Sequence, residues 1–395
     1  MEPSQSNPFF SRSPRKMLDN AIANHHDQEV RTRPFGEAFA PARQSRSPNR
    51  RHSAGGFLAA VSVFVCSASA SPITVPGGVA TPMGVTLHGR LVWHSYDRYA
   101  FEGVRSWMAD FDAKKVTEIT LPRLRGAMNY HFNPDGTEVV FMSDDRDLPG
   151  DQWDIWLARI TPDGLAKATR ITPADGSRNE DPKFSSDGSR IIFKKNRHHI
   201  AAIDRTAITI DGGNQEPAQV ILASDKLEIG MPFFLAGSRT DFLYAAVTPD
   251  RRSIIGKHDA GGSHTLYDIP GAHAYYPVAV TPGGFYFSSG ISGTTPDQLY
   301  KGNIDGRPPV SASFNIRAAE VADACPAGAE WLFYSSTRDK GTGGYDIWLG
   351  NFSTGATCNL STLVPGANQR ASDLGATFHG SLTTEAQSGI KQERE

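Results

Sequence analysis

The chain has 395 residues, and its 40 Lys and Arg against 42 Asp and Glu give a net charge of −2, without the basic excess of a nucleic-acid-binding protein. It is 39% hydrophobic and 10% aromatic, which excludes wholesale disorder, and its three cysteines exclude a small disulfide-built scaffold. The 38 glycines and 26 prolines indicate frequent turns, which favour many short strands over long helices.

The first 70 residues differ from the rest in composition. Residues 1–53 are rich in Ser, Pro, Arg and Asn and are predicted to be a disordered extension. Residues 54–70 follow a basic pair, contain an apolar run from Phe57 to Cys66 and end in Ala68-Ser69-Ala70, which is the layout of a secretory signal peptide. The run is too short for a stable membrane span. About 50 residues precede the segment, so either the start codon is placed too early or the segment is a weak membrane anchor. We predict secretion; the alternative is a disordered tail with a chance apolar patch.

Cleavage there would leave a mature N-terminus near Ser71 and remove Cys66. The triplets that begin at Asn351 and Asn359 fit the N-glycosylation pattern, so a glycoprotein is expected. The remaining Cys325 and Cys358 can form a disulfide in an oxidising compartment. The alternative, two buried free thiols, is favoured because the predicted strands do not bring the two cysteines within bridging distance.

The body of the chain is a repeat. Residues 128–161, 180–204 and 320–350 each contain a strand-like run, a tight turn, an alternating β-rich run, a polar loop and a third strand, and weaker copies lie at 231–268 and 274–304. The copies are spaced about 45–50 residues apart. This spacing predicts the four-stranded blades of a β-propeller.

The repeat resembles that of the TolB-like β-propeller family, which runs P-x-F-S-P-D-G-x-x-I-x-F and then D-I-W. Here residues 181–188 read DPKFSSDG, residues 132–136 read FNPDG, and DIW stands at 154–156 and 346–348. The resemblance covers residues 83–380 and implies a fold, not an activity, because such repeats occur in non-catalytic periplasmic proteins and in propellers attached to peptidases. Secreted propeller polysaccharide lyases are similar to a weaker degree.

Blade count follows from the inner strands. These are predicted to begin near Asn129, Asp181, Met231, Tyr276 and Val321, with a sixth at residues 372–378. Pairing the last strand with N-terminal strands at 91–95 and 107–111 closes an all-β, six-bladed propeller of four-stranded blades over 83–380. An inner strand at 84–87 would give seven blades instead. Residues 381–395 are predicted to be a disordered tail.

Propeller geometry places the Asp-Gly turns at 135–136 and 187–188 on one face, and the loops that follow second strands or enter first strands on the other. We expect the function on that second face, at one end of the channel. The predicted catalytic residues are His94, His131, Arg197 and Tyr275, and the predicted substrate-binding residues are Tyr96, Arg98, Lys195, Asn179, His273 and Arg338.

Three functions compete for this cluster. A lyase on a uronate-containing polysaccharide needs a cation on the carboxylate, a base and an acid. Arg197, Lys195 or Arg98 would be the cation, His94, His131 or His198 the base, and Tyr96 or Tyr275 the acid. A glycoside hydrolase would use paired carboxylates. Its candidates are Asp97, Asp144, Asp145, Glu180 and Asp181, whose basic neighbours favour salt bridges.

The third function is a binding propeller without catalysis, as in the TolB-like family. The cofactor is unknown, although scattered histidines permit a divalent metal, since no metal-spacing motif is present. The expected partner is an extracellular carbohydrate or protein, with no nucleic acid and no stable membrane span, and we expect a monomer.

Overall fold

The computed structural model describes residues 77–96, 103–147, 153–209, 213–214, 216–268, 272–291, 296–338, 341, 344–368 and 372–384. Within these ranges the chain is almost entirely β-strand, with one turn of α-helix and one 3-10 turn. The predicted extension, the signal-like segment and its cleavage point, together with Asp97 and Arg98, lie outside the described residues.

The strands form six antiparallel blades. Blade 1 contains β1 (Val79–Ala80), β2 (Val85–Tyr96), β3 (Arg105–Asp110) and β4 (Lys115–Ile119). Blade 2 contains β5 (Leu124–Phe132), β6 (Glu138–Asp145), β7 (Asp154–Thr161), β8 (Gly164–Leu165) and β9 (Thr169–Arg170). Blade 3 contains β10 (Asn179–Phe184), β11 (Arg190–Lys195), β12 (His199–Asp204) and β15 (Gln219–Ala223). Between the last two strands lie a 3-10 turn (Arg205–Ala207) and the short hairpin of β13 (Ile208–Thr209) and β14 (Gly213–Asn214).

Blade 4 contains β16 (Glu228–Phe234), β17 (Phe242–Val247), β18 (Ser253–Asp259) and β19 (Gly262–Asp268). Blade 5 contains β20 (Ala272–Thr281), β21 (Gly284–Ile291), β22 (Gln298–Asn303) and β23 (Val310–Ser311). Blade 6 contains β24 (Val321–Pro326), β25 (Trp331–Ser336), β26 (Asp346–Asn351) and β27 (Thr357–Asn359), followed by helix α1 (Leu360–Leu363). The last strand, β28 (Ser372–Thr384), returns to blade 1.

The ring closes by pairing the two ends of the described chain. Strand β28 lies against β2 from the pair Val85–Thr384 to the pair Tyr96–Ser372 and forms the innermost strand of blade 1. The prediction of six blades with a shared closing blade is confirmed, and the seven-bladed alternative is wrong because residues 85–87 belong to β2. Residues 381–384, assigned to the tail from sequence, continue β28 because each has a partner on β2.

The Asp-Gly turns join first to second strands as predicted. The Asp135 carboxylate accepts the Thr137 N–H (3.0 Å), and the Asp187 carboxylate accepts the Ser189 N–H (3.0 Å). Gly136 and Gly188 follow with φ of 71° and 72°, a region that glycine adopts without steric cost. These aspartates therefore build the turns.

The core lies between blades. Trp156 of blade 2 packs with Val92 and Met108 of blade 1, as Trp348 of blade 6 does with residues of blade 5. Cys325 and Cys358 are free and buried in the core between blades 6 and 1, the state that the predicted strand positions favoured.

Each innermost strand is broken by a bulge with a left-handed residue. The bulged residues have φ between 48° and 60° and interrupt the pairing register of their strands; they are Asn129, Asp181, Met231, Tyr276, Asp323 and Gly375. We call these six the bulge ring. A bulge bends its strand and re-aims side chains. Because all six blades have it, the bulge belongs to the fold, and only the side chain that it presents differs between blades.

Candidate functional site: the central channel

A chamber of about 220 Å³ lies inside the ring, lined by residues from all six innermost strands. Its wall includes Asn129, Tyr276, Asp323 and Gly375 of the bulge ring. It also includes the residue two positions after each bulge. We call that set the second ring; it consists of His131, Lys183, Phe233, Val278, Cys325 and Thr377.

The bulge ring carries two carboxylic acids. The Asn129 amide donates to the Asp181 carboxylate (2.6 Å) and to the Tyr276 hydroxyl (3.3 Å), which links three blades. Burial raises the pKa of Asp181, and the adjacent Glu180 raises it further. Burial also raises the pKa of Asp323 to about 7, against the opposing effect of the Gly375 N–H. Near neutral pH, Asp323 therefore exchanges a proton easily.

The second ring combines one cation with apolar and neutral polar groups. The Lys183 ammonium donates to the Pro182 carbonyl (3.2 Å), and burial lowers the pKa of Lys183. His131 accepts the Phe184 N–H on Nδ1 (3.1 Å), and burial lowers its pKa to about 3. Burial raises the pKa of the Cys325 thiol to about 12, so this thiol is neutral.

His94 stands beside the channel. It is 3% exposed, its Nδ1 has no hydrogen-bond partner, and burial lowers its pKa to about 3. A Cβ on Gly375 would lie 2.4 Å from its Cε1, so the neighbouring strand must have glycine at this point. Neither His94 nor His131 is a strong base at neutral pH, because a base of such low pKa has little affinity for a proton.

Tyr275 and His273 of β20 both contact the carboxylate of Asp297. The Tyr275 hydroxyl donates to Asp297 (2.6 Å), and His273 Nε2 lies 2.7 Å from the other Asp297 oxygen. The Asp297 N–H donates to Glu320 (2.5 Å). Burial, and then the charge of Asp297, raise the pKa of Glu320 to about 7. Tyr275 is thus a donor to a carboxylate, and burial raises its pKa well above the usual value.

The two described cations predicted for the substrate, Arg197 and Lys195, have contacts outside the chamber. Arg197 lies between β11 and β12, where its Nε is 3.7 Å from Glu228 of the next blade. Lys195 is 3.1 Å from Asp175. Neither residue lines the chamber. The structure therefore does not assemble a cation, a base and an acid from the four predicted catalytic residues at one point.

Three further predicted binding residues have structural contacts. Asn179, 1% exposed, donates to Asp154 (3.3 Å). Arg338 donates to Thr357 (3.0 Å) and to the Phe314 carbonyl (2.6 Å), and its guanidinium lies 5.0 Å from the Trp348 ring centre. Tyr96 ends β2, stacks on His94 at 5.6 Å and has its pKa raised by burial and by Asp323.

Three of the carboxylates considered for a glycoside hydrolase form ion pairs, as their basic neighbours suggested. Asp144 pairs with Arg125, and Asp145 lies 3.1 Å from Arg123. Burial alone would raise the pKa of Glu180, but Lys194 at 3.0 Å and Arg178 at 2.9 Å lower it below its usual value. Of the described candidates, Asp181 has its pKa raised instead.

Of the residues that line the chamber, His131 is a predicted site residue, whereas Lys183 and Cys325 were not predicted to belong to the site. Lys183 stands at the variable position of the P-x-F motif, and Cys325 was considered only as a disulfide partner or a free thiol. The available signal was the repeat itself. Aligning the six inner strands places one variable residue of each blade at the second ring, and Lys183 is the cation among them.

The described residues also show the surroundings of possible metal ligands, of apolar helices and of the two N-glycosylation triplets. Among the described residues, no group of three or more His, Cys, Asp or Glu side chains could hold a metal ion, and no helix is long and apolar enough to cross a membrane. Asn351 and Asn359 are 9% and 7% exposed, and the Asn359 amide donates to Asp346 (2.8 Å). A glycan on Asn359 would displace that contact.

Comparison with known proteins bears on the fold. No protein-family model matches the sequence, and neither does any curated protein. TolB from Acinetobacter baumannii superposes with a TM-score of 0.54 at 12% identity, over 73% of this chain and 66% of that chain. Hydrazine synthase from Kuenenia stuttgartiensis superposes with a TM-score of 0.55 at 13% identity, over 74% of this chain and 47% of that chain.

An oligogalacturonate lyase in complex with manganese is more distant, with a TM-score of 0.46 at 13% identity over 69% of this chain and 73% of that chain. At identities this low, the superpositions with TM-scores above 0.5 indicate a shared fold alone. The six-bladed propeller fold is similar to that of TolB, as the repeat motif predicts.

Proposed function

We propose that this protein is a secreted binding propeller that holds an extracellular carbohydrate in its central channel. The observation that carries the proposal is the chamber wall. Asn129, Tyr276, Asp323, His131 and Thr377 bring an amide, hydroxyls, a carboxyl group and an imidazole to one space. Such a mixture of donors and acceptors suits a ligand rich in hydroxyl groups.

The volume supports a small ligand. Pockets for drug-sized molecules measure about 300–1,000 Å³, and this chamber is smaller, at about 220 Å³. A single sugar residue, or the end of a chain, is the size that we propose. Binding is favoured over lyase chemistry because Arg197 is ion-paired and because His94 and His131 have pKa values near 3.

Titration calorimetry of the full secreted protein with galactose, glucose and their uronic acids tests the proposal. Thr377→Val removes a chamber hydroxyl and is expected to weaken binding about fivefold, since a neutral hydrogen bond contributes about 1 kcal/mol. Thr265→Val, on the exposed face of β19, is the matched control and should leave binding unchanged. Equal affinities for both variants and the wild type would contradict a channel site.

Two measurements separate the alternatives. Absorbance of a new double bond on a panel of uronate polysaccharides would favour a lyase instead. Capture of a protein partner, with no sugar bound, would favour the protein-interaction role of a TolB-like propeller. Mass spectrometry of secreted material should find an N-terminus near Ser71; retention of residues 1–70 in the cell would contradict secretion.

A further inference from the structure

Lys183 is the cation on the chamber wall, and no described carboxylate lies within 4 Å of its ammonium group. Its hydrogen bond goes to the Pro182 carbonyl at 3.2 Å. Neighbouring lysines differ, because Lys194 pairs with Glu180 at 3.0 Å and Lys195 with Asp175 at 3.1 Å. Lys183 is partly exposed, and it borders the chamber. A cation kept from direct pairing but held at a cavity can receive an anion.

The second ring supplies further donors and no carboxylate. The Thr377 hydroxyl is one donor. The other is His131: its Nδ1 accepts the Phe184 N–H, so the neutral ring carries its proton on Nε2. The remaining wall of this ring is Phe233, Val278 and Cys325, whose apolar surroundings strengthen any charge-assisted hydrogen bond formed there.

We propose that the chamber is a carboxylate-binding site, in which the oxygens of a small organic acid accept hydrogen bonds from Lys183, His131 and Thr377. The proposal rests on the proposed channel function and narrows its ligand to acids. A sugar acid and a small non-sugar acid share this chemistry, and the experiment distinguishes them.

The bulge ring contains two aspartates, and their contacts and protonation explain why an acid can bind near them. Asp181 is engaged by the Asn129 amide, and Asp323 can take up a proton near neutral pH. Binding of an anion would favour that protonated form. Affinity should therefore fall as the pH rises through about 7. The titratable groups that face Asp323 or the chamber are Asp181, Lys183, His131, Cys325, Tyr130, Tyr276, Tyr96, Tyr275, Tyr345 and Asp297.

The test is calorimetry of the full secreted protein with galacturonate, galactose and lactate at pH 6 and pH 8. Lys183→Met keeps the side-chain length and removes the charge, and Lys195→Met is the matched control. Charge-assisted hydrogen bonds contribute about 1.5–3 kcal/mol, so K183M should weaken acid binding about 10- to 100-fold and should weaken galactose binding less. K195M should match the wild type. Asp323→Asn should remove the loss of affinity between pH 6 and pH 8.

The outcomes separate the two proposals. Galacturonate binding that depends on Lys183 and exceeds galactose binding supports both. Lactate binding that depends on Lys183, with neither sugar bound, supports the carboxylate site and overturns the carbohydrate ligand. Equal binding of galactose and galacturonate by the wild type and K183M overturns the carboxylate site alone. Absence of binding by all three compounds overturns both.

Discussion

An innermost and an outermost strand of the propeller each contain a glutamate that forms ion pairs with basic side chains, but the surroundings of the two glutamates differ. On the innermost strand β10, Glu180 contacts Lys194 and Arg178, and its side chain is 7% exposed. On the outermost strand β4, Glu118 contacts Arg105 through two hydrogen bonds (2.9 and 2.7 Å), with side chains 41% and 54% exposed. Water screens the outer pair and not the inner one, so similar geometry stabilises the fold by different amounts.

The largest expected effect comes from breaking the inner pair. Glu180→Gln should lower the free energy of unfolding by about 3–5 kcal/mol, because it leaves two cations without their carboxylate, whereas Glu118→Gln should cost less than about 1 kcal/mol. The pKa of Glu180 is lowered by folding, so its stabilisation is present above about pH 4.3 and is lost as the pH falls further. Urea unfolding at pH 7 and pH 3.5 measures both. Equal losses in the two variants at pH 7 would contradict the comparison.

A glycine on the inner strand is the next test. Gly375→Ala places a Cβ 2.4 Å from the buried His94 at a φ of 60° and should lower stability by about 3 kcal/mol. Gly237→Ala, in the turn between β16 and β17, is also at a positive φ (80°), but the added Cβ meets no atom within 4 Å. It should cost about 1 kcal/mol, the strain of the backbone alone. Thermal unfolding of both variants decides, and an equal drop in Tm would mean that His94 moves aside freely.

Replacing Lys183, the cation on the chamber wall, should raise the stability of the fold instead of lowering it. Lys183→Met replaces an ammonium that lacks a close carboxylate with an apolar chain, which should raise stability by about 1 kcal/mol at pH 7. Lys195→Met, in the exposed pair with Asp175, should change it by less than about 0.5 kcal/mol. Urea midpoints measure the difference. A destabilised K183M would show that Asp181 and Asp323 already compensate Lys183 fully.

The smallest expected effect is the pH dependence caused by Glu320. Burial and Asp297 raise its pKa to about 7, so between about pH 4.3 and pH 7 the folded state holds a proton that the unfolded state releases. Stability should fall as the pH rises through this interval and level off above it. Glu320→Gln should flatten that fall by less than about 1 kcal/mol, given its partial exposure, and E118Q should not. A pH profile of Tm from 4.5 to 8 tests the expectation.

Much of the fold was predictable because short sequence motifs, repeated in several blades, specify its turns and strands. Asp135-Gly136 and Asp187-Gly188 specify turns through hydrogen bonds within a few residues, and the DIW positions specify buried third strands. The closing strand was predictable from the need to remove exposed edges. Its end at Thr384 was not, because residues 381–384 are mostly polar and become strand only through their partners on β2.

The site was predictable only in part. The charges of Arg197 and Lys195 are conspicuous in sequence, yet the fold places Glu228 and Asp175 within ion-pair distance of them. Lys183 occupies a variable position of a structural motif and appears in the chamber only when six inner strands converge. By itself the sequence determined the blades and their turns, since these depend on neighbours along the chain. It limited the number of blades to six or seven, and the pairing of β2 with β28 gives six. The tertiary structure alone decided which charges are paired and which face the channel, because burial and ion pairing depend on residues that are distant in sequence.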